Sequence, residues 1–265
     1  MVRTTTSLNA SIDALAAAEP GFARVLEAHG RPEPRRSDPG VETLLRTIVG
    51  QQVSVAAARS MWGKLVVRFG EPVDLAALLD ASDEELREAG LSRQKAGYAR
   101  SLAGLVLAGD LDLAALPADD EQAIELLTRI KGIGRWSAEI YLLFAEGRED
   151  VWPAGDLAVQ IAVGRLLGLD ERPSEKQLRA LAEPWRPHRG AAAVLAWHSY
   201  NSVGTALSSA SAAARCCGAA PRGPTSCVRP GRAGTAPSCL RRPHRGRQGS
   251  SMNRPVRRRS SDRKR

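Results

Sequence analysis

Over the first 200 residues apolar side chains recur every three or four positions, and no stretch alternates with a period of two for long enough to make a strand. A chain patterned this way buries its apolar faces by packing helix on helix, so the expected fold is all-α, a bundle of about ten short helices. Stops and caps divide it. Pro20-Gly21 separates helices near Leu8 to Ala18 and Phe22 to His29, and Arg31 to Gly40 reads as a Pro-rich connector. The next helix, Val41 to Gln51, presents Leu44, Leu45, Ile48 and Val49 on one side; Ser54 then caps a helix that Gly70 ends. Ser82 with Glu85 makes a capping box, and Ser92 opens a helix through Lys95 and Tyr98 to about Ala108. Further helices are expected near Glu121 to Ile130, Arg135 to Ala145, Asp156 to Leu167, Ser174 to Ala182 and Arg189 to Tyr200.

Charge is distributed unevenly. The 265-residue chain carries a net +9, yet residues 201–265 hold 15 Lys and Arg against the single acid Asp262, which leaves the first 200 residues at −5. The basic character therefore belongs to the tail, and any nucleic-acid contact in the folded part has to come from a local site. The tail is rich in Ala, Gly, Pro, Ser and Arg and is expected to be disordered. It is either a basic arm that adds non-specific phosphate affinity or out-of-frame translation of a GC-rich gene, and the abrupt loss of helical periodicity favours the second. Cys216, Cys217, Cys227 and Cys239 all lie there, at spacings that suit neither zinc nor an iron-sulfur cluster, so no metal site is expected. Three regions follow: helices and connector over 1–40, a core domain over 41–200 and the tail over 201–265. No run approaches the ~18 apolar residues of a membrane span and the N-terminus has no signal-peptide order, so a cytoplasmic protein without a membrane partner is expected.

The segment Leu127-Thr-Arg-Ile-Lys-Gly-Ile-Gly-Arg-Trp-Ser-Ala138 carries the most chemical information. A helix ends, Gly132-Ile133-Gly134 turns the chain, and a second helix starts at once. The glycines allow backbone conformations closed to other residues and a close approach of other backbone, Ile133 can point back into the core, and the turn's amides with the positive end of the new helix suit a phosphate. Taken alone such a turn is more often an ordinary tight connection. Twenty-two residues after Gly134, however, Asp150-Val-Trp-Pro-Ala-Gly-Asp156 sets an acid at the start of a helix behind a loop shaped by Pro and Gly.

The hairpin followed by that loop resembles the helix-hairpin-helix (HhH-GPD) DNA glycosylase superfamily, most closely its 3-methyladenine DNA glycosylase II branch, over roughly residues 40 to 200. Supporting matches are Ile48-Val-Gly-Gln-Gln-Val-Ser54, Gly90-Leu-Ser-Arg-Gln-Lys-Ala96 and Trp185-Arg-Pro-His-Arg189. The resemblance implies that Asp156 is the catalytic carboxylate. An anion at a helix N-terminus is favoured by the dipole, and an anion is what a developing oxocarbenium ion needs. It also implies a monofunctional glycosylase that removes alkylated purines from duplex DNA as the first step of base excision repair. In the bifunctional branch a lysine stands at the position of Trp136, and an indole cannot replace that nucleophile.

By the same resemblance Gln51 and Gln52 form a wedge turn that fills the gap left by an everted nucleotide. Lys131, Gly132, Ile133, Gly134 and Arg135 grip the DNA backbone, and a monovalent cation coordinated by the Ile130 to Gly134 carbonyls is the one cofactor implied. Trp136, Trp197 and Tyr200 are candidates for an electron-rich pocket that favours a cationic base, though Trp197 and Tyr200 read equally well as core of the last helix. Arg189 is either at the pocket mouth or an ion-paired surface residue; Trp62 and Trp152 read as core. Ile140 departs from the pattern, standing where some members have a pocket tyrosine. The expected partner is damaged double-stranded DNA, bound by a monomer. The stretch before residue 40 is short, and the extra sheet domain of longer bacterial members is expected to be absent. Two rivals remain: a glycosylase for an oxidised or deaminated base, and a non-catalytic DNA-binding hairpin protein.

Overall fold

A computed structural model describes residues 5–202, whose regular elements are all helices, with no strand among them. The order is α1 (Thr5–Ala18), α2 (Pro20–His29), α3 (Val41–Gly50), α4 (Val55–Phe69), α5 (Leu75–Asp80), α6 (Asp83–Glu88), α7 (Arg93–Leu107), α8 (Asp120–Thr128), α9 (Arg135–Phe144), α10 (Leu157–Leu166) and α11 (Glu175–Leu181). A 3-10 turn, Glu183–Trp185, and a last helix, α12 (189–202), complete it. The all-α expectation holds. The expected tail lies, from residue 203 on, outside the described residues. Among the described residues no helix is long and apolar enough to cross a membrane.

The caps foreseen from sequence set the helix starts. The Ser54 hydroxyl accepts from the Ala57 amide, Ser82 and Glu85 form their reciprocal box, and the Ser92 hydroxyl accepts from the Lys95 amide. One helix escaped the periodicity reading. α5 has six residues, too few for a 3.6-residue period to register, and it starts because Asp74 accepts the Ala76 and Ala77 amides at 2.9 and 3.1 Å.

The centre of the bundle is α3, whose Leu44, Leu45, Ile48 and Val49 are buried against α4, α7 and α9. On the far side Ala191 to Ala196 of α12 are all buried, a run of mostly small residues that lets this helix sit inside the core. Trp152 stacks edge-on to Trp185 at 5.7 Å, and Phe22 meets Trp185 at 5.0 Å. Trp62 and Trp152 are thus core.

A network of ions ties the second hairpin helix to the loop before α10. Glu139, 1% exposed, lies between Arg135 at 3.0 Å and Arg179 at 3.1 Å, and Arg179 also reaches the Trp152 carbonyl at 3.4 Å. Burial pushes the Glu139 carboxyl up against the opposing pull of the two guanidiniums. Inside the loop the Gln160 amide donates to the Ala154 carbonyl at 2.8 Å and the Trp152 indole to the Leu178 carbonyl at 3.3 Å.

Candidate active site

Asp156 is the N-cap of α10, and three N–H groups converge on it. Its Oδ1 accepts from the Val159 amide at 2.9 Å and from the Trp197 indole at 3.0 Å; its Oδ2 accepts from the Trp136 indole at 2.9 Å. These donors come from α10, α12 and α9, residues 20 and 41 positions away included. The half-buried carboxylate opens onto a cavity of about 440 Å³ whose walls include Trp136, Ile140, Tyr141, Phe144 and Trp197. The Phe144 and Trp197 rings meet at 5.7 Å. The indoles therefore do two things: their N–H groups hold the carboxylate, and both residues line the space.

The chemistry of the lining is narrow. Asp156 is the sole carboxylate among the described residues that line this cavity, and none of them is a histidine, lysine or cysteine. The Tyr141 hydroxyl, made less acidic by burial, accepts from the Gly40 amide at 2.8 Å. Thr43 and Thr47, stacked four apart on α3, spend their hydroxyl protons on the Asp38 and Thr43 carbonyls. The site offers a fixed anion among aromatic rings, with arginines and hydroxyls on the connector and α3 side and no histidine, lysine or second carboxyl among the described lining residues to protonate a leaving group.

Two of the pocket candidates are not in this cavity. Tyr200, three residues on from Trp197, is 36% exposed and turned off the wall, whereas Asn201, four residues on, lines it. Positions i and i+4 share a helix face more nearly than i and i+3 here. Arg189 forks onto Asp150 with two 2.9 Å bonds and reaches Glu183 at 3.1 Å, in a separate small cavity with Arg135 and Arg179. Its donors anchor the loop before Asp156 rather than face the pocket.

The hairpin differs in detail from its sequence reading. Only Gly132 has a positive φ, 83°, and what approaches it is the Tyr98 ring, not backbone. Ile133 is buried as expected. The Lys131 amide donates to the Ser101 hydroxyl at 3.1 Å and the Ile133 amide to the Ile130 carbonyl at 3.0 Å. That leaves Gly132 and Gly134 as hairpin amides without a protein acceptor among the described residues, next to an α9 N-terminus with no side-chain cap. Lys131 is exposed, but the Arg135 guanidinium is committed to Glu121 and Glu139. Gln51 donates to the Gly132 carbonyl at 2.8 Å, and Lys95 donates to the Val49 carbonyl at 2.7 Å, so the Gln51-Gln52 turn is tied to the hairpin on one side and to α7 on the other. Gln52 is exposed with φ 55°, the one non-glycine in the left-handed region among the described residues.

Sequence reasoning missed Arg35, Arg36 and Ser37, which line the cavity from the connector. Their signal was weak, because a Pro-rich connector shows no period and nothing in it says what it lies against.

Trp197→Phe keeps an aromatic ring in the wall and deletes one charge-assisted bond to Asp156, a bond of ~1.5 to 3 kcal/mol. If the carboxylate carries the reaction, turnover at saturating substrate is expected to fall about tenfold with the melting temperature little changed. Turnover equal to the parent's would show that this bond does not matter.

Residues 45–187 match the family model described as the HhH-GPD superfamily base excision DNA repair protein. A Schizosaccharomyces pombe DNA-3-methyladenine glycosylase 1 is 30% identical over 72% of this chain and 87% of its own. Among solved structures, a Bacillus halodurans DNA-3-methyladenine glycosidase is similar with a TM-score of 0.67 and 31% identity, covering 74% of this chain and 91% of that one. A Schizosaccharomyces pombe 3-methyladenine DNA glycosylase in complex with abasic DNA aligns with a TM-score of 0.61 and 28% identity, over 71% and 94%. Coverage is uneven, since the chain spans 57% of a Bacillus subtilis relative that is 28% identical.

Proposed function

The chain belongs to the HhH-GPD superfamily of base excision DNA repair proteins, and from that premise we propose that it is a monofunctional DNA glycosylase that hydrolyses the N-glycosidic bond of alkylated purines in duplex DNA. The observation that carries the reading is Asp156: one carboxylate, gripped by three N–H donors, in an aromatic-walled cavity whose described lining holds no histidine, lysine or second carboxyl to act as general acid. A neutral base needs a proton to depart, whereas an alkylated purine such as 3-methyladenine is already cationic and leaves without one. The names of the similar proteins, DNA-3-methyladenine glycosylases, support the same substrate class.

In this mechanism the target nucleotide rotates out of the duplex into the cavity, Gln52 enters the gap, and the unshared amides of Gly132 and Gly134 hold a backbone phosphate near Lys131. Trp136 and Trp197 flank the cationic base, each contact worth ~0.5 to 2 kcal/mol. As the glycosidic bond breaks, Asp156 faces the sugar cation. With Oδ1 accepting two hydrogen bonds and Oδ2 one, the carboxylate is built as a held charge more than as a proton acceptor, so it stabilises the cation electrostatically. Water then completes the hydrolysis.

The hairpin carbonyls are hard oxygen donors that suit a monovalent cation. Ile130 and Gly132 each keep one lone pair beyond the bonds they accept. Such an ion would screen the phosphate at the hairpin.

The strand should remain uncut, because Trp136 stands where the lyase branch has its lysine and no lysine lines the cavity among the described residues. Incubated with methylated duplex DNA, the protein is expected to release methylated purines, to leave strands that break only on alkali treatment, and to form no borohydride-trapped adduct. Release of oxidised or deaminated bases alone would transfer the site to another lesion. Binding without release of any base would make the chain a DNA-binding protein only.

A further inference from the structure

We propose that Arg35 and Arg36 form a phosphate clamp at the mouth of the Asp156 cavity, gripping the phosphodiesters on either side of an everted nucleotide. The proposal rests on the glycosylase reading and adds a DNA-binding element that lies outside residues 45–187, the span matched to the family.

Both arginines line the cavity that holds Asp156, and both are exposed. Among the described residues neither makes an ion pair or a hydrogen bond, although other arginines of the fold do: Arg31 pairs with Asp13, Arg46 with Glu71, and Arg186 and Arg189 with Asp150. The segment that carries them is nonetheless held in place. The Ser37 amide donates to the Phe144 carbonyl at 3.0 Å and the Gly40 amide to the Tyr141 hydroxyl, so the connector is fastened to α9 at two points just after the arginines. Pro32 is buried just before them. Two cations are thus presented from an anchored backbone with their guanidinium donors unspent.

Their placement conflicts with the chemistry unless an anion arrives with the substrate. A sugar cation developing beside two bare guanidiniums is destabilised by them, and so is a cationic base. An everted nucleotide carries the missing anions. Whatever its base, its 5′ and 3′ phosphates stay joined to the strand and arrive at the mouth as the sugar enters. Each guanidinium fork can take two phosphate oxygens, which neutralises it and fixes the sugar above Asp156. Because the first 200 residues carry a net −5, DNA affinity there has to come from cations placed locally at the site.

The test is binding of the full chain, at 50 to 300 mM KCl, to a duplex with a tetrahydrofuran abasic analogue and to the same duplex undamaged. The variants are Arg35→Gln/Arg36→Gln and Arg35→Lys/Arg36→Lys. For the Gln pair, affinity for the abasic duplex is expected to fall on the order of tenfold, and the slope of log Kd against log salt to flatten by about 1.8, two phosphates' worth. Undamaged duplex, with no nucleotide everted, should change less than twofold, and the Lys pair should retain the slope. An unchanged slope, or equal weakening on both duplexes, would overturn the clamp while leaving the glycosylase reading intact. A parent protein that does not distinguish the two duplexes would overturn that reading and the clamp with it.

Discussion

Asp156→Asn is expected to lower the single-turnover rate of base release by about 10²- to 10³-fold, the scale of removing one preorganised electrostatic group, while duplex binding stays within a few-fold. The substitution is nearly isosteric, and asparagine still caps a helix, so α10 should keep its start. Two things are lost. The negative charge that faces the sugar cation disappears, and one of the three converging donors is left facing an NH2 group instead of an oxygen. Single-turnover release from methylated duplex, alongside a thermal melt, separates chemistry from folding. A rate within tenfold of the parent would remove Asp156 from the centre of the mechanism.

Gly132→Ala is expected to destabilise the protein by roughly 2 to 4 kcal/mol, summing the cost of a side chain in a left-handed conformation and of overpacking. A Cβ at this position would lie 2.2 Å from a Tyr98 ring carbon, and φ is 83°. The ring cannot simply swing away, since it packs against the core and its hydroxyl bonds Gln94 at 2.5 Å. Movement of the turn would carry the Gly132 carbonyl away from Gln51 and so disturb the Gln51-Gln52 turn and the hairpin together. Denaturant unfolding of Gly132→Ala and of Gly132→Ala/Tyr98→Ala distinguishes the causes. The double variant should differ from Tyr98→Ala by only the backbone part, ~1 kcal/mol. Full additivity would mean that the ring is not what Gly132 accommodates.

Much of the fold was legible because its signals are local. Ser54, Ser82 and Ser92 start helices by bonding amides three residues on, and the spacing of Leu44, Leu45, Ile48 and Val49 marks the buried face of α3 without reference to any other element. α5 was missed because its six residues are too short for a period and its Asp74 cap lacks the partner three positions on that marks the equally short α6. Asp156 and the hairpin were legible as a pattern of types in order, and so was Trp136.

What the sequence determined by itself was the class of fold, the helix starts, the family pattern and the position of one acid at a helix N-terminus. Only the tertiary structure decided what that acid touches. The indoles on Asp156 come from 20 and 41 residues away, Arg189 is spent on Asp150, Arg135 is spent on Glu121 and Glu139, and Tyr200 turns away where Asn201 does not. The connector that reads as a featureless Pro-rich link proves to be a wall of the site. A guanidinium's partner depends on which helices cross near it, and crossing is settled by the packing of faces contributed from the whole chain. Local pattern fixes where a helix begins and which side is apolar; it carries no information on which polar groups from distant helices arrive at its rim.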